Sequence, residues 1–320
     1  MITSPLGPGG EFDRIRRIAA ALGTGAHGLG DDCAVLPGGN GEIVLSTDLS
    51  VEGVHFRTDW LGFEEIGWRA AAGALSDLAA AGATPVGLLA SVGAPRGEDE
   101  VRVVELMRGV GAAVASVGGV VLGGDLSASP HWVVDVTVIG RAPRPVPRSG
   151  ARPGDRLWLS GTPGLSRAAL VAWRRGGVPE PAARRAYAHP LPRIALGAAL
   201  AAAGARAMID LSDGLAGDVR HLAAASAVAI TLELDRIPIA PAVRQAAGAA
   251  EHPAAFAATG GEDYELLAAL PPDFSEADAA GLAARCGVPL TRIGVATAGQ
   301  GVTLLLDGKP VPLGGYDHFA

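Results

Sequence analysis

The chain has 320 residues, is 49% hydrophobic and carries a formal charge of −7. That length allows two domains with cores of their own, and the acidic balance, with no long Lys/Arg run, excludes a general nucleic-acid binder. Its two cysteines, Cys33 and Cys286, form no CxxC pair, which argues against a zinc knuckle or dithiol centre and suits free thiols in a reducing compartment.

The first ten residues lack the basic and apolar regions of a signal peptide. The longest apolar run, residues 110–124, is too short and too rich in glycine to cross a bilayer. The expectation is a cytoplasmic protein with no membrane partner. Phe12, Ile15, Ile18, Ala19 and Leu22 have helical spacing over 11–22. Residues 42–47 read as a strand delivering Asp48, 63–81 as a long small-residue helix carrying Asp77, and 87–92 as a strand. A helix over 98–117, a strand over 120–122 ending in Gly123-Gly124-Asp125 and a β-branched strand over 131–140 follow. Pro143, Pro145, Pro147 and Pro153 then resist regular structure, which places a boundary between a domain of residues 1–142 and one of residues 143–320.

The second half alternates again. Strands are expected at 156–160, 207–211, 229–234, 265–270, 290–295 and 302–306, and helices at 165–175, 192–203, 214–225, 241–249 and 276–286. This is an α/β (α+β) pattern in which each domain is a mixed β-sheet packed with helices.

Acidic residues recur after glycine-rich or apolar runs: Asp31-Asp32, Asp48, Asp77, Asp125, Asp210 with Asp213, and Glu262-Asp263. One such Asp alone is a turn or cap residue more often than a ligand. Asp77 differs: a mid-helix carboxylate among alanines and glycines faces either solvent or a specific partner, and small neighbours that allow close backbone approach favour the partner. The only lysine is Lys309, so side-chain cations are scarce. Hard divalent cations, which prefer carboxylate oxygen and phosphate, are the natural counter-charge. Ser46, Thr47 and Ser212 add neutral oxygens. The P-loop, the protein-kinase motifs and GxSxG are absent, and Gly123-Gly-Asp and Gly260-Gly-Glu are not GxGxxG fingerprints.

Taken in order, Gly-Asp-Asp-Cys-Ala (30–34), Ser-Thr-Asp (46–48) with Gly-Val-His-Phe (53–56), Leu-Ser-Asp-Leu-Ala-Ala-Ala-Gly-Ala (75–83), Gly-Gly-Asp (123–125), Arg148 to Asp155, Ile-Asp-Leu-Ser-Asp-Gly-Leu (209–215), Gly-Gly-Glu-Asp-Tyr-Glu-Leu (260–266) and Gly-Tyr-Asp-His-Phe (315–319) span nearly the whole chain. The set resembles the thiamine-monophosphate kinase family, within the aminoimidazole-ribonucleotide-synthetase-like superfamily. His55, Glu262 and the tail motif narrow it to the kinase; another ATP-dependent enzyme of the superfamily and a non-catalytic thiamine-phosphate or nucleotide binder are the alternatives.

The resemblance implies a two-domain superfamily fold, a homodimer joined through N-terminal sheets, and ATP-dependent phosphorylation of thiamine monophosphate with several Mg²⁺ ions. It implies metal ligands at Asp32, Ser46, Thr47, Asp48, Asp77, Asp125, Asp210 and Asp213, of which Asp48, Asp77, Asp125 and Asp210 serve the chemistry. ATP contacts carry over to Gly124, Asp125, Arg148 and Ser212, and substrate contacts to His55, Glu262 and Tyr316. Where family members often place an aromatic ring against adenine this chain has Met107, which packs adaptably without stacking.

Overall fold

The computed structural model describes residues 13, 15–16, 31–39, 41–249 and 251–316. The helix expected over 11–22 and the last residues of the tail motif fall, but for Asp13, Ile15 and Arg16, outside them.

The N-terminal half runs β1 (Ala34–Pro37), β2 (Glu42–Val51), α1 (Phe63–Ala80), β3 (Thr84–Ala94), α2 (Glu100–Ser116), β4 (Val120–Ala128) and β5 (Val133–Ala142). Its strands form one sheet in the order β1-β2-β5-β3-β4, parallel only between β3 and β4. Leu88, Val134, Val136 and Val138 are buried on the face that α1 and α2 cover. The two helices cross at glycines: a Cβ on Gly67 would stand 1.8 Å from the Leu106 carbonyl oxygen, and one on Gly109 would stand 1.9 Å from that of Glu64. Larger residues would push the pair apart. The other face of the sheet leaves Leu36, Leu49 and Leu89 exposed.

The C-terminal half runs β6 (Arg156–Ser160), α3 (Leu165–Arg174), α4 (Pro181–Ala188), α5 (Ile194–Ala202), β7 (Ala207–Asp210), α6 (Leu215–Ser226), β8 (Ala229–Glu233), α7 (Pro241–Ala247), α8 (Pro253–Ala258), β9 (Leu266–Leu270), α9 (Glu276–Cys286), β10 (Leu290–Thr297), β11 (Gly301–Leu306) and β12 (Lys309–Pro310). Its sheet has the order β12-β11-β8-β10-β6-β9-β7. The mixed, helix-packed sheets in both halves bear out the fold expected from the sequence.

Two expectations about strand ends are corrected. β2 continues past Asp48, pairing with β5 as far as Val51–Val133, so Asp48 lies within a strand. β4 continues through Gly123, Gly124 and Asp125 to Ala128. Glycine weakens a central strand, but β4 is an edge strand with a register shift against β3, where glycine is tolerated.

Helix α1 joins the halves. Gly197 on α5 approaches it so closely that a Cβ would stand 2.0 Å from the Ala79 carbonyl oxygen. Trp68 Nε1 donates to the Pro190 carbonyl at 2.8 Å.

Candidate active site

Three carboxylates from separate elements meet beside α1. Asp32 precedes β1, Asp77 lies in the last turns of α1 and Asp210 ends β7; one oxygen of each lies within 4.8 Å of the others. Alternation along β2 sends Ser46 and Asp48 to the α1 side. Ser46 Oγ donates to Asp77 Oδ2 at 2.5 Å. Asp48 Oδ2 lies 3.2 Å from where a Cβ on Gly73 would stand.

Burial, then the neighbouring Asp32, pushes the Asp210 carboxyl up to about 7. Burial and the charges of Asp210, Asp48 and Asp32 drive Asp77 well above the usual carboxylate range. Asp31 rises to about 6 through burial and the adjacent Asp32. Arg148 is the nearest cation. Its guanidinium pairs with Asp32, and its backbone N–H donates to Asp31 at 3.0 Å. Burial works against the Arg148 charge, and Asp32 with Asp31 and Asp210 outweighs it. One arginine among this many carboxylates leaves a negative surplus made only of oxygen donors, the chemistry that suits a hard divalent ion.

Asp48, whose charge acts on Asp77 and Asp210, also lines a cleft of about 930 Å³ whose walls include His55, Ser212, Asp213, Glu262 and Tyr316. Two segments build its C-terminal wall. The turn from Asp210 to Gly214 presents Ser212 and Asp213. A strap, residues 260–265, is laid along that turn: Glu262 N–H donates to the Ser212 carbonyl at 2.7 Å and Tyr264 N–H to that of Leu211 at 2.9 Å. Tyr316 N–H donates to the Asp213 carbonyl at 3.0 Å. Glu262 and Tyr264 have φ of 65° and 52°, the left-handed region that side chains disfavour. Across the cleft, His55 Nδ1 accepts from Val51 N–H at 3.1 Å, which fixes the ring. Trp60 and Trp173, from opposite halves, stack with centroids 5.2 Å apart and planes 6° from parallel.

The structure thus brings together Asp32, Ser46, Asp48, Asp77, Arg148 and Asp210 around the cluster, with His55, Ser212, Asp213, Glu262 and Tyr316 along the cleft. It sets four expected contributors apart. Thr47 projects from the opposite sheet face, where its hydroxyl lies 3.0 Å from Asp135 Oδ1 and from Thr137 Oγ1. Gly124 and Asp125 lie on β4, three strand spacings or about 14 Å from β2. In register Asp125 stands opposite Ser91, which pairs with Asp135 and so with Leu49, the row on the outer face. Met107 is half-buried on α2, packed against the core outside the cleft lining.

Sequence reasoning passed over several residues. Arg69 is buried on α1 and pairs with Glu262. Tyr264 places its hydroxyl against Gly73. Asp218, in the first turn of α6, accepts from the Asp213 backbone N–H, while burial, Asp213 and Asp210 drive its carboxyl well up. Asp218 was legible in principle, being one helical turn beyond Gly214; Arg69 carried no local signal.

The two halves and the acidic cluster define a class. Residues 30–142 match the family model "AIR synthase related protein, N-terminal domain", and residues 152–307 match its C-terminal counterpart. Within that class the chain belongs to the thiamine-monophosphate kinase family. It is 38% identical to the thiamine-monophosphate kinase of Mycobacterium tuberculosis over 268 residues, 81% of this chain and 80% of that protein. It is 36% identical to that of Caulobacter vibrioides over 317 residues, 95% of this chain and 89% of that one. The crystal structure of thiamine monophosphate kinase from Aquifex aeolicus superimposes with a TM-score of 0.82 at 30% identity, over 94% of this chain and 98% of that one. A structure described as AaThiL complexed with AMPPCP and TMP superimposes with a TM-score of 0.87 at 32% identity, over 97% of each chain.

Proposed function

We propose that this protein transfers the γ-phosphoryl group of ATP to the phosphate of thiamine monophosphate, giving thiamine diphosphate and ADP. The observation that carries this reading is a cleft lined by Asp48, Glu262, His55 and Tyr316, with the cluster of Asp32, Asp77 and Asp210 behind Asp48. Membership of the family, whose relatives carry that activity in their names, supports it.

The acceptor is a phosphate monoester, whose second ionisation lies near pH ~6. Its oxygen is already a nucleophile at neutral pH, so the protein needs no general base. A bond forms between that oxygen and the γ-phosphorus as the bond from the γ-phosphorus to the β-bridging oxygen breaks, and ADP leaves. The obstacle is repulsion between two polyanions, and the protein meets it by positioning and electrostatics. Asp32, Asp48, Asp77 and Asp210, with Ser46, would hold Mg²⁺, more than one ion being in keeping with so many carboxylates. Bound there, the metal supplies neutralisation of the transferring phosphate charge. Arg148, anchored by Asp31 and Asp32, presents donors to the nucleotide side. Ser212 adds a hydroxyl. Glu262 accepts from the aminopyrimidine of the substrate, and Tyr316 offers a ring to the cationic thiazolium.

The apolar outer face of the N-terminal sheet supports a homodimer packed sheet to sheet. Thr47, Asp125 and Gly124 lie on or beside that face, where a second copy would meet them. Two cysteines without a disulfide suit a cytoplasmic setting. Among the described residues no helix is long and apolar enough to cross a membrane.

The test is direct. Pure protein is incubated with ATP, Mg²⁺ and thiamine monophosphate, and thiamine diphosphate is quantified by chromatography beside an EDTA control and Asp48→Asn. Metal-dependent product that the variant does not form supports the reading. Folded protein that neither forms product nor binds thiamine monophosphate overturns it.

A further inference from the structure

Arg69 sits on α1, in the N-terminal half, and is only 4% exposed. Its guanidinium is spent entirely on the other half. It forms an ion pair of 2.5 Å with Glu262 Oε2. It donates to the Tyr187 carbonyl at 2.6 Å and lies 3.7 Å from the centroid of the Tyr187 ring. Burial works against its charge; Glu262, Tyr187 and Tyr264 outweigh that and keep it protonated. A guanidinium held by an ion pair, one hydrogen bond and a ring against its flat face has little freedom left. What it grips is equally fixed, and that is Glu262, on a strap whose left-handed backbone a non-glycine residue keeps only when the surroundings hold it.

The same helix carries Asp77, eight residues further on. Eight residues of α-helix rise about 12 Å. One rigid element therefore sets the separation between the Glu262 carboxylate and the acidic cluster. A ligand that reaches from one to the other is measured by α1; a shorter phosphate ester can occupy the cluster end without touching Glu262.

We propose that Arg69 is a positioning residue that fixes where Glu262 meets the pyrimidine end of the substrate, and that it thereby selects thiamine monophosphate over phosphate esters lacking that ring. This rests on the reading of the cleft as a thiamine monophosphate site. Arg69 itself touches no reacting atom. It acts through the carboxylate it holds and through the strap that carries it.

The experiment compares two acceptors, thiamine monophosphate and the phosphate ester of its hydroxyethylthiazole half alone, in the wild type, Arg69→Met and Arg69→Lys. The readout is the ratio of kcat/KM for the two, or of their dissociation constants where turnover of the shorter ester is too slow. In Arg69→Met the ratio falls about 100-fold, the loss expected when a binding group is displaced by about 1 Å. In Arg69→Lys, which keeps the charge and loses the fork, it falls about 10-fold. A merely structural role lowers both acceptors by one factor, and an unchanged ratio in a folded variant overturns the proposal. Should the methionine variant fail to fold, the lysine variant decides on the same ratio. A wild type that uses and binds neither acceptor refutes the kinase reading itself, a failure visible before any variant is compared.

Discussion

Gly73 of α1 and Tyr264 of the strap touch without a side chain between them: a Cβ on Gly73 would stand 3.2 Å from the Tyr264 hydroxyl oxygen and 3.2 Å from Asp48 Oδ2. A Cβ there would be held more tightly than in ordinary packing, and both neighbours belong to the cleft. Gly73→Ala adds about 1 kcal/mol of helix propensity and loses a similar amount to crowding. Stability therefore stays within about 1 kcal/mol of the wild type, while kcat/KM falls about tenfold as Asp48 and Tyr264 shift. Thermal unfolding and steady-state kinetics on one preparation separate the two effects. A fall in both together would mean that the glycine serves packing alone.

The acidic cluster makes stability depend on pH in a definite direction. Asp210 and Asp31 titrate near 7 and 6 in the folded protein and near ~3.9 when unfolded. Between those values the folded state holds more protons, so these groups stabilise it fully below pH ~4 and lose that contribution as pH rises through about 6 to 7. Mg²⁺ competes with protons for the same oxygens. Its stabilising shift in melting temperature is larger at pH 8 than at pH 5.5, measured by calorimetry with and without EDTA. Equal shifts at both pH values would place the ion elsewhere.

Asp77→Asn removes the most crowded of these charges. The metal-free variant is at least as stable as the wild type at pH 8, because a buried, repelled carboxylate is gone. Turnover falls about 1000-fold, the scale of losing an electrostatic stabiliser of the transition state. Melting curves in EDTA beside initial rates in excess Mg²⁺ check both signs at once.

Asp155 is a buried carboxylate of a different kind. It pairs with Arg206 at 2.6 Å and accepts from the Arg152 backbone N–H at 2.8 Å, outside the cleft lining. Asp155→Ala leaves the arginine without its partner and costs about 3 kcal/mol, with kcat and KM unchanged in the protein that remains folded. Urea unfolding measures the first and kinetics the second.

Leu89 lies on the exposed face of the N-terminal sheet, in the strand next to β4. Leu89→Glu puts a charge at the centre of the proposed contact between copies. Sedimentation at micromolar concentration then shows a monomer where the wild type shows a dimer. A dimer that survives unchanged would move the contact to another surface.

Much of this molecule was legible in local pattern. The small-residue run around Asp77 announced both a helix and a carboxylate needing a partner, and α1 supplies both. The proline-rich stretch after Arg141 separates the last strand of one sheet from the first of the other. Strand ends were less legible, because glycine and aspartate read as terminators while β2 and β4 are held open by pairing with distant strands. The face of Thr47 was there to be read from alternation with Ser46 and Asp48. The Arg69–Glu262 pair was not, since its two members share no local pattern and meet only when α1 is laid across both halves.

That placement of α1 has a consequence for how the site opens. Arg69, Gly73 and Asp77 lie along one side of a single straight element, and each meets a different part of the cleft. Separating the halves therefore involves all three contacts. Any hinge motion that frees Glu262 from Arg69 also draws Tyr264 from Gly73 and Asp210 from Asp77, so entry and release are expected as one cooperative event rather than a series of independent latches.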